Sequence, residues 1–336
     1  MAASIKSDVL VIGGGPAGTS AAITCARGGQ SVVLLEAERF PRHVPGETLH
    51  PGVESLLRRL GAAASLENAN FLRHAGVWID RSGKSEFQAY GSDESGPWLG
   101  YQATRSEFDA MLLLQARSCG VRILQPHRAL WVLHEGDRIA GAETTAGTVH
   151  ANITVDASGT SSWLARQISL PFNRTSRKLI AFYGYMLGEC PAREAAPCFT
   201  YRTNGWVWTA RVRPNLFHWT RLFTIWPPPR REGPPPEFAG LEPIGRPKGC
   251  DVTWRLLESC AGPGYFVAGD AASVSDPSSS HGVLRALMSG MLAGQMVLRK
   301  MFRNEPEPAL IAEYRQFLCS SFQFDWAHAS KLFHLT

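Results

Sequence analysis

Apolar positions fall into distinct runs along the chain. Asp8–Ile12 and Ser31–Leu35 are short blocks of continuous hydrophobicity, the pattern of strands buried on both faces of a parallel sheet. Between them, Ala17–Arg27 reads as a small-residue helix closed by Gly28-Gly29. The first 36 residues therefore predict a complete β-α-β unit. A helix starting near Pro51 carries Val53, Leu56, Leu57 and Leu60 at helical spacing, and Arg105–Gly120 carries Phe108, Met111, Leu112 and Ala116 on one side. Trp131–His134 and Arg138–Thr144 flank Glu135-Gly136-Asp137, a hairpin signal. Ile153–Asp156 is another buried strand, and the aromatic-rich stretch from Lys178 to Trp226 reads as an antiparallel sheet. Tyr265–Ala268 enters Gly269-Asp270, and a long helix is expected over Gly282–Met301. Trp226–Pro236 reads as an exposed proline-rich loop.

Composition narrows the class. A chain of 336 residues exceeds one typical core, so two joined lobes are expected. Hydrophobic content of 44% excludes wholesale disorder. The formal charge of +5 is spread thinly, without a basic block, so no nucleic-acid partner is expected. Seven cysteines include no C-x-x-C pair, which points to reduced thiols and a cytoplasmic protein. The charge-free run Val9–Ala26 is broken at its centre by Gly13–Gly18, so no membrane span is expected. No His/Cys cluster suggests a metal. Ten tryptophans hint at a site for something flat and aromatic.

The sharpest local motif is Gly13-x-Gly15-Pro16-Ala17-Gly18, set between a strand and a helix, with Glu36 closing the next strand. Glycines allow the tight turn and let backbone and helix terminus approach a pyrophosphate; the acidic residue accepts from a ribose diol. The plain alternative is an ordinary glycine-rich turn with a solvated glutamate. Parallel-strand signals recur at the start, middle and end of the chain, interrupted by sheet-rich segments. The expected fold is therefore α/β, with a Rossmann-like nucleotide-binding domain formed by 1–70, 101–165 and 255–336. An antiparallel-sheet substrate domain, 71–100 and 166–254, is inserted into it.

Four blocks in order decide which dinucleotide is bound. After the glycine motif come Pro41-Arg42-x-x-x-Gly46-Glu47-Thr48-Leu49-x-Pro51-Gly52, Arg105-Ser106-Glu107-Phe108-Asp109, Asp156-Ala157-Ser158-Gly159, and Gly269-Asp270-Ala271-Ala272 with Asp276-Pro277. On these blocks nearly the whole chain resembles the FAD-dependent monooxygenase and halogenase superfamily of the p-hydroxybenzoate-hydroxylase fold, a glutathione-reductase-type FAD fold. The resemblance implies FAD as cofactor, with Asp270 against its ribityl chain. It also sets Pro277, Gly282 and Val283, at the N-terminus of the following helix, toward the flavin ring. A helix N-terminus there would favour an anionic reduced flavin. Arg42 and Arg105 become candidates to hold flavin or pyrophosphate, or else arginines paired with a neighbouring carboxylate.

No second glycine-rich unit appears, so reducing equivalents are expected from transiently docked NAD(P)H or a separate reductase, with molecular oxygen as co-substrate. The resemblance implies oxygen transfer to an aromatic carbon through a flavin hydroperoxide. Halogenases of the superfamily add a lysine after the Gly-Glu-Ser/Thr-Leu helix; here Arg73 and His74 stand in that stretch, and Lys84 reads as an exposed turn. Their Trp-x-Trp-x-Ile-Pro mark is half present as Trp206-Val207-Trp208, two indoles expected on one strand face as sheet core or as substrate wall. Asp276-Pro277-Ser278-Ser279-Ser280-His281-Gly282-Val283, with Asp251–Arg255 and Ala286–Gly290, most resembles flavoproteins that assist peptidyl tryptophylquinone maturation. His281 then either serves substrate or oxygen chemistry near the flavin or packs at the helix start; His74 faces the substrate chamber or is structural. Gly290-x-x-x-Gly294 reads as close helix packing.

The sequence thus predicts an FAD-dependent monooxygenase of an aromatic, indole-type ring, with a tryptophan in a partner polypeptide as the favoured substrate. Halogenation of an aromatic ring is the alternative. A related flavin reductase and a flavoprotein partner without catalysis stand behind it.

Overall fold

The computed structural model describes residues 4–225, 227 and 233–333, with side chains to residue 327. Most of the proline-rich segment lies outside the described residues, Trp226 included. The glycine turn sits where the pattern places it. The strand Ser4–Ile12 runs into it, the helix Pro16–Arg27 leaves it, and Val32–Leu35 returns parallel to the first strand. The sheet order is 122–124, 32–35, 4–12, 147–156, 138–144, 129–135, with 265–267 added parallel to 147–156. Five of its strands are parallel, and the runs 9–12, 32–35, 153–156 and 265–267 at their centre are buried, which explains their apolar character. The hairpin 129–144 is antiparallel and leaves Leu130 and Trp131 exposed on its outer strand.

Against this lobe lies a seven-stranded sheet in the order 242–251, 180–187, 216–223, 205–213, 198–202, 76–81, 84–89. It is not wholly antiparallel: 198–202 pairs parallel with 76–81, because those two strands reach the sheet from distant parts of the chain. One face is set by two-residue alternation: Ala181 and Tyr183 beside Leu222 and Thr220 beside Trp206 and Trp208, in register. A smaller sheet of Thr48–Leu49, Gly100–Gln102 and Leu72–His74 ties the lobes together.

Two C-terminal helices, Gly282–Arg303 and Glu307–Phe333, complete the first lobe. The former packs along Pro16–Arg27 at Gly290, where a Cβ would lie 2.0 Å from the carbonyl oxygen of Ala17, and at Gly294, against Thr24. Gly-x-x-x-Gly is therefore a close-packing device inside the molecule. No described helix is long and apolar enough to cross a membrane, and all seven cysteines are unpaired.

Candidate active site

A cavity of about 700 Å³ runs from the glycine turn to the seven-stranded sheet. Its near end is the N-terminus of the helix Pro16–Arg27, lined by Gly13, Gly15, Pro16 and Ala17. Gly13 has φ +105°, a conformation open to glycine, and a Cβ there would lie 2.3 Å from the oxygen of Ala157. Gly18 does not line the cavity; it lets the helix approach the oxygen of Gly13, 1.8 Å from where its Cβ would be. Glu36 is buried at the cavity wall, with Oε2 accepting from the N–H of Gly14 at 2.7 Å and Oε1 from that of Glu38 at 2.8 Å. Those donors aim the carboxylate before any ligand arrives.

Two arginines behave differently. Arg105 is fixed by the fully buried Asp109, Nε to Oδ1 at 2.8 Å and Nη2 to Oδ2 at 3.0 Å, and Nη1 donates to the oxygen of Pro45 at 3.2 Å. Arg42 reaches Asp109 at only 3.5 Å, and its buried Nε lacks a hydrogen-bond partner. A Cβ on Gly15 would lie 3.1 Å from Nη2 of Arg42, so glycine and guanidinium frame one narrow opening. The Trp163 indole nitrogen, also on the wall, is buried and unpartnered too.

At the far end stand Gly269, Asp270, Pro277, Gly282 and Val283, around the start of the Gly282–Arg303 helix. Asp276 is buried here, its Oδ1 accepting from the N–H of Ser278 at 2.8 Å, and burial raises its carboxyl to about 6 although the Ser278 hydrogen bond opposes the rise. The sheet supplies the ceiling: Ala181, Tyr183, Trp206, Trp208, His218 and Thr220. Trp206 and Trp208 thus share one face and look into the chamber.

Of the residues expected to act on substrate, the two histidines stand elsewhere. His74 is buried in the small bridging sheet with Nδ1 3.0 Å from the oxygen of Gly76, and it does not line the chamber. His281 is the N-cap residue of the Gly282–Arg303 helix but does not line the cavity: its Nδ1 lies 3.5 Å from Oδ1 of the buried Asp325, and its ring meets His50 edge-on at 5.0 Å. The last helix holds it there, since Asp325 also takes a hydrogen bond from Ser275 at 2.8 Å and pairs with Arg285 at 2.5 Å. Burial and the His281 charge push His50 down to about 4.

Sequence reading passed over Glu47. Its buried carboxylate accepts from the N–H of Gly46 at 2.8 Å and from the Tyr185 hydroxyl, and its Oε2 lies 3.5 Å from Nε2 of buried His218. Burial pushes the His218 imidazole below its ordinary value, with Glu47 pulling the other way. Glu47 was legible as part of Gly46-Glu47-Thr48, but its partners on the sheet were not.

The cradle fits FAD on these observations. A strained glycine turn at a helix N-terminus suits a pyrophosphate, the buried Nε of Arg42 and the Trp163 N–H have no other acceptor, and Glu36 is aimed for a ribose. Twelve of the thirteen expected cofactor residues, all but Gly18, line this cavity. No group of His, Cys, Asp and Glu among the described residues is arranged to hold a metal ion.

The family model described as FAD dependent oxidoreductase matches residues 8–167, just under half of the chain. The proteins this chain is similar to include flavin-dependent halogenases. Tryptophan 2-halogenase of Chondromyces crocatus is 29% identical over 356 residues, which cover 96% of this chain and 66% of that protein. A flavin-dependent halogenase of Armillaria mellea is 34% identical over 226 residues, 61% of this chain and 44% of that one. The chain spans under two thirds of the length of these curated relatives. Among solved structures, the myxobacterial chondrochloren halogenase, an FAD-dependent halogenase, matches with a TM-score of 0.83 at 25% identity, over 95% of this chain and 82% of that one. These relatives favour the halogenase alternative over hydroxylation.

Proposed function

We propose that this protein is a flavin-dependent halogenase of an electron-rich aromatic ring, indole being the class its ceiling suits best. The observation that carries the reading is one cavity continuous from the dinucleotide turn to a face bearing Trp206 and Trp208. Two indoles offer stacking surface to a flat substrate at little conformational cost. The halogenase names of the relatives supply the choice of chemistry. In this reading Gly13–Ala17 and Glu36 would hold the dinucleotide, with Arg42, Asp270 and the start of the Gly282–Arg303 helix as its further neighbours on the cavity wall. Bound FAD, once reduced by NAD(P)H or a separate reductase, supplies activation of dioxygen. The chain's part is to orient the ring and to exclude water.

Hydroxylation of the same ring is the second reading, favoured by the residues at the wall. No lysine lines the cavity among the described residues, and Arg73 and His74 occupy the stretch where the superfamily's halogenases carry theirs. A tryptophan borne on a peptide belongs to this reading. One experiment separates the two: protein loaded with FAD, a flavin reductase, NADH and oxygen is given indole, tryptophan or a tryptophan peptide, with and without bromide. Brominated product supports halogenation; product heavier by one oxygen, whatever the halide, supports hydroxylation; consumption of NADH with neither product overturns both.

A further inference from the structure

We propose that His218, held by Glu47 and Tyr185, is the base that takes the proton from the aromatic ring as it is substituted. The inference rests on the reading above that such a ring is the substrate, and it serves halogenation and hydroxylation alike.

Its ground is a buried constellation with no packing reason to be polar. Tyr185 and His218 are register partners on neighbouring strands, so both project from the same sheet face. Tyr185 donates to Oε1 of Glu47; Gly46 donates to Oε2, which faces Nε2 of His218 at 3.5 Å. Glu47 and His218 are 2% and 4% exposed, yet both line the chamber. Burying a carboxylate beside an imidazole is costly unless the pair is arranged for use. Nε2 has the Glu47 carboxylate at 3.5 Å and the Thr220 hydroxyl at 3.4 Å on its side; an Nε2–H turned to those oxygens leaves Nδ1 as the acceptor, the arrangement that makes an imidazole an oriented base. The surroundings favour the neutral form. Burial lowers the His218 imidazole, Glu47 opposes that, and the other titratable or charged groups around the pair are Tyr183, Tyr185, Cys250 and the Arg105 guanidinium.

The step balances simply. An electrophilic halogen, formed from halide, dioxygen and the reduced cofactor, bonds to the ring carbon; in hydroxylation the electrophile is oxygen. The C–H bond at that carbon then breaks, its electron pair restores aromaticity, and the proton passes to Nδ1 of His218. The resulting imidazolium is balanced by the Glu47 carboxylate. His218 acts on substrate; Glu47 and Tyr185 are positioning residues.

Two measurements test this on the FAD-loaded protein. The first follows ¹⁵N-labelled histidine rings by NMR from pH 5 to 8, with His218 assigned by its loss in His218→Gln. The expected result is a neutral His218 at pH 7, whose apparent pKa falls further in Glu47→Gln. An imidazolium at pH 7, or no response to Glu47→Gln, overturns the proposal. The second compares turnover of indole with ring-deuterated indole. Wild type should show a ratio near 1, and His218→Gln a slower reaction with a ratio above 2, because proton loss has become limiting. Tyr185→Phe should lower kcat with FAD binding unchanged. An unchanged kcat and a ratio of 1 in His218→Gln overturn the proposal. Failure of wild type to convert indole counts against the functional reading instead, and the NMR result then decides on the base alone.

Discussion

Trp208 donates its indole N–H to the Thr48 hydroxyl at 3.2 Å, and Thr48 donates in turn to Oε1 of Gln102 at 3.0 Å. One ceiling tryptophan is thereby tied to the segment that closes the cofactor lobe, through residues of three different strands. The neighbouring Glu47 makes the parallel link to Tyr185. Gly46-Glu47-Thr48 is thus the hinge pin between cofactor and substrate surfaces, and substitutions there should be felt in both.

For Thr48→Val, which keeps shape and removes the hydroxyl, a loss of about 2 kcal/mol is expected, the ordinary net worth of the two hydrogen bonds it makes. Urea unfolding of the flavin-loaded protein measures it. Product formation should fall by more than stability does, since the Trp208 ring loses its anchor. A variant with wild-type turnover would show that the Trp208 orientation is immaterial to the reaction.

Gly15→Val should abolish FAD binding while leaving the fold intact. Even a Cβ would lie 3.1 Å from Nη2 of Arg42, and the added methyls would fill the space left for a pyrophosphate. Flavin absorbance of the purified variant, with circular dichroism for the fold, reads both outcomes. Retained FAD would place the pyrophosphate elsewhere.

Arg42 and Arg105 should separate cleanly. Arg105→Ala leaves the fully buried Asp109 carboxylate with Arg42 at 3.5 Å as its remaining partner, and a destabilisation of about 3 kcal/mol, the lower end for breaking a buried pair, is expected. Arg42→Ala leaves the bidentate Arg105–Asp109 pair standing. It should cost little stability and weaken FAD at least tenfold, measured by calorimetric titration. Equal effects on stability would remove the distinction.

The Asp276 carboxyl, raised to about 6 chiefly by burial, gives a signed pH dependence. An acid whose folded pKa exceeds its unfolded value of about 3.9 contributes stability that is complete below the unfolded value and lost as pH rises through 6. The loss amounts to about 3 kcal/mol. Asp276→Asn keeps the acceptor for Ser278 and cannot ionise. In the apoprotein it should gain on wild type by about that amount between pH 4 and 8. A pH-independent difference would show that Asp276 titrates normally.

The cofactor half of the site was legible because its determinants are local. Gly13, Gly15, Glu36 and the Gly269-Asp270 turn owe their places to backbone conformation within a few residues, and the order of four blocks brought them together. The catalytic half depends on which way side chains turn after the lobes meet. Two-residue alternation was enough to put Trp206 and Trp208 on one face. Nothing local marks that Asp325, 44 residues beyond His281, engages that ring, or that Tyr185, 138 residues beyond Glu47, closes on its carboxylate. Likewise, the parallel pairing of 198–202 with 76–81 arises from topology and leaves no trace in either strand.

The contact of Gly290 with Ala17 bears on how the protein is made. The helix that carries the pyrophosphate turn has its other side covered by residues that leave the ribosome more than 260 residues later; Ser20, for instance, donates to the oxygen of Leu287, 267 positions on, at 3.2 Å. A nascent chain that has completed the glycine motif still exposes the apolar flank of that helix and has no Asp270 to offer. Cofactor capture therefore waits for the residues up to Gly290, and until they emerge the first β-α-β unit depends on whatever shields exposed apolar surface in the cell.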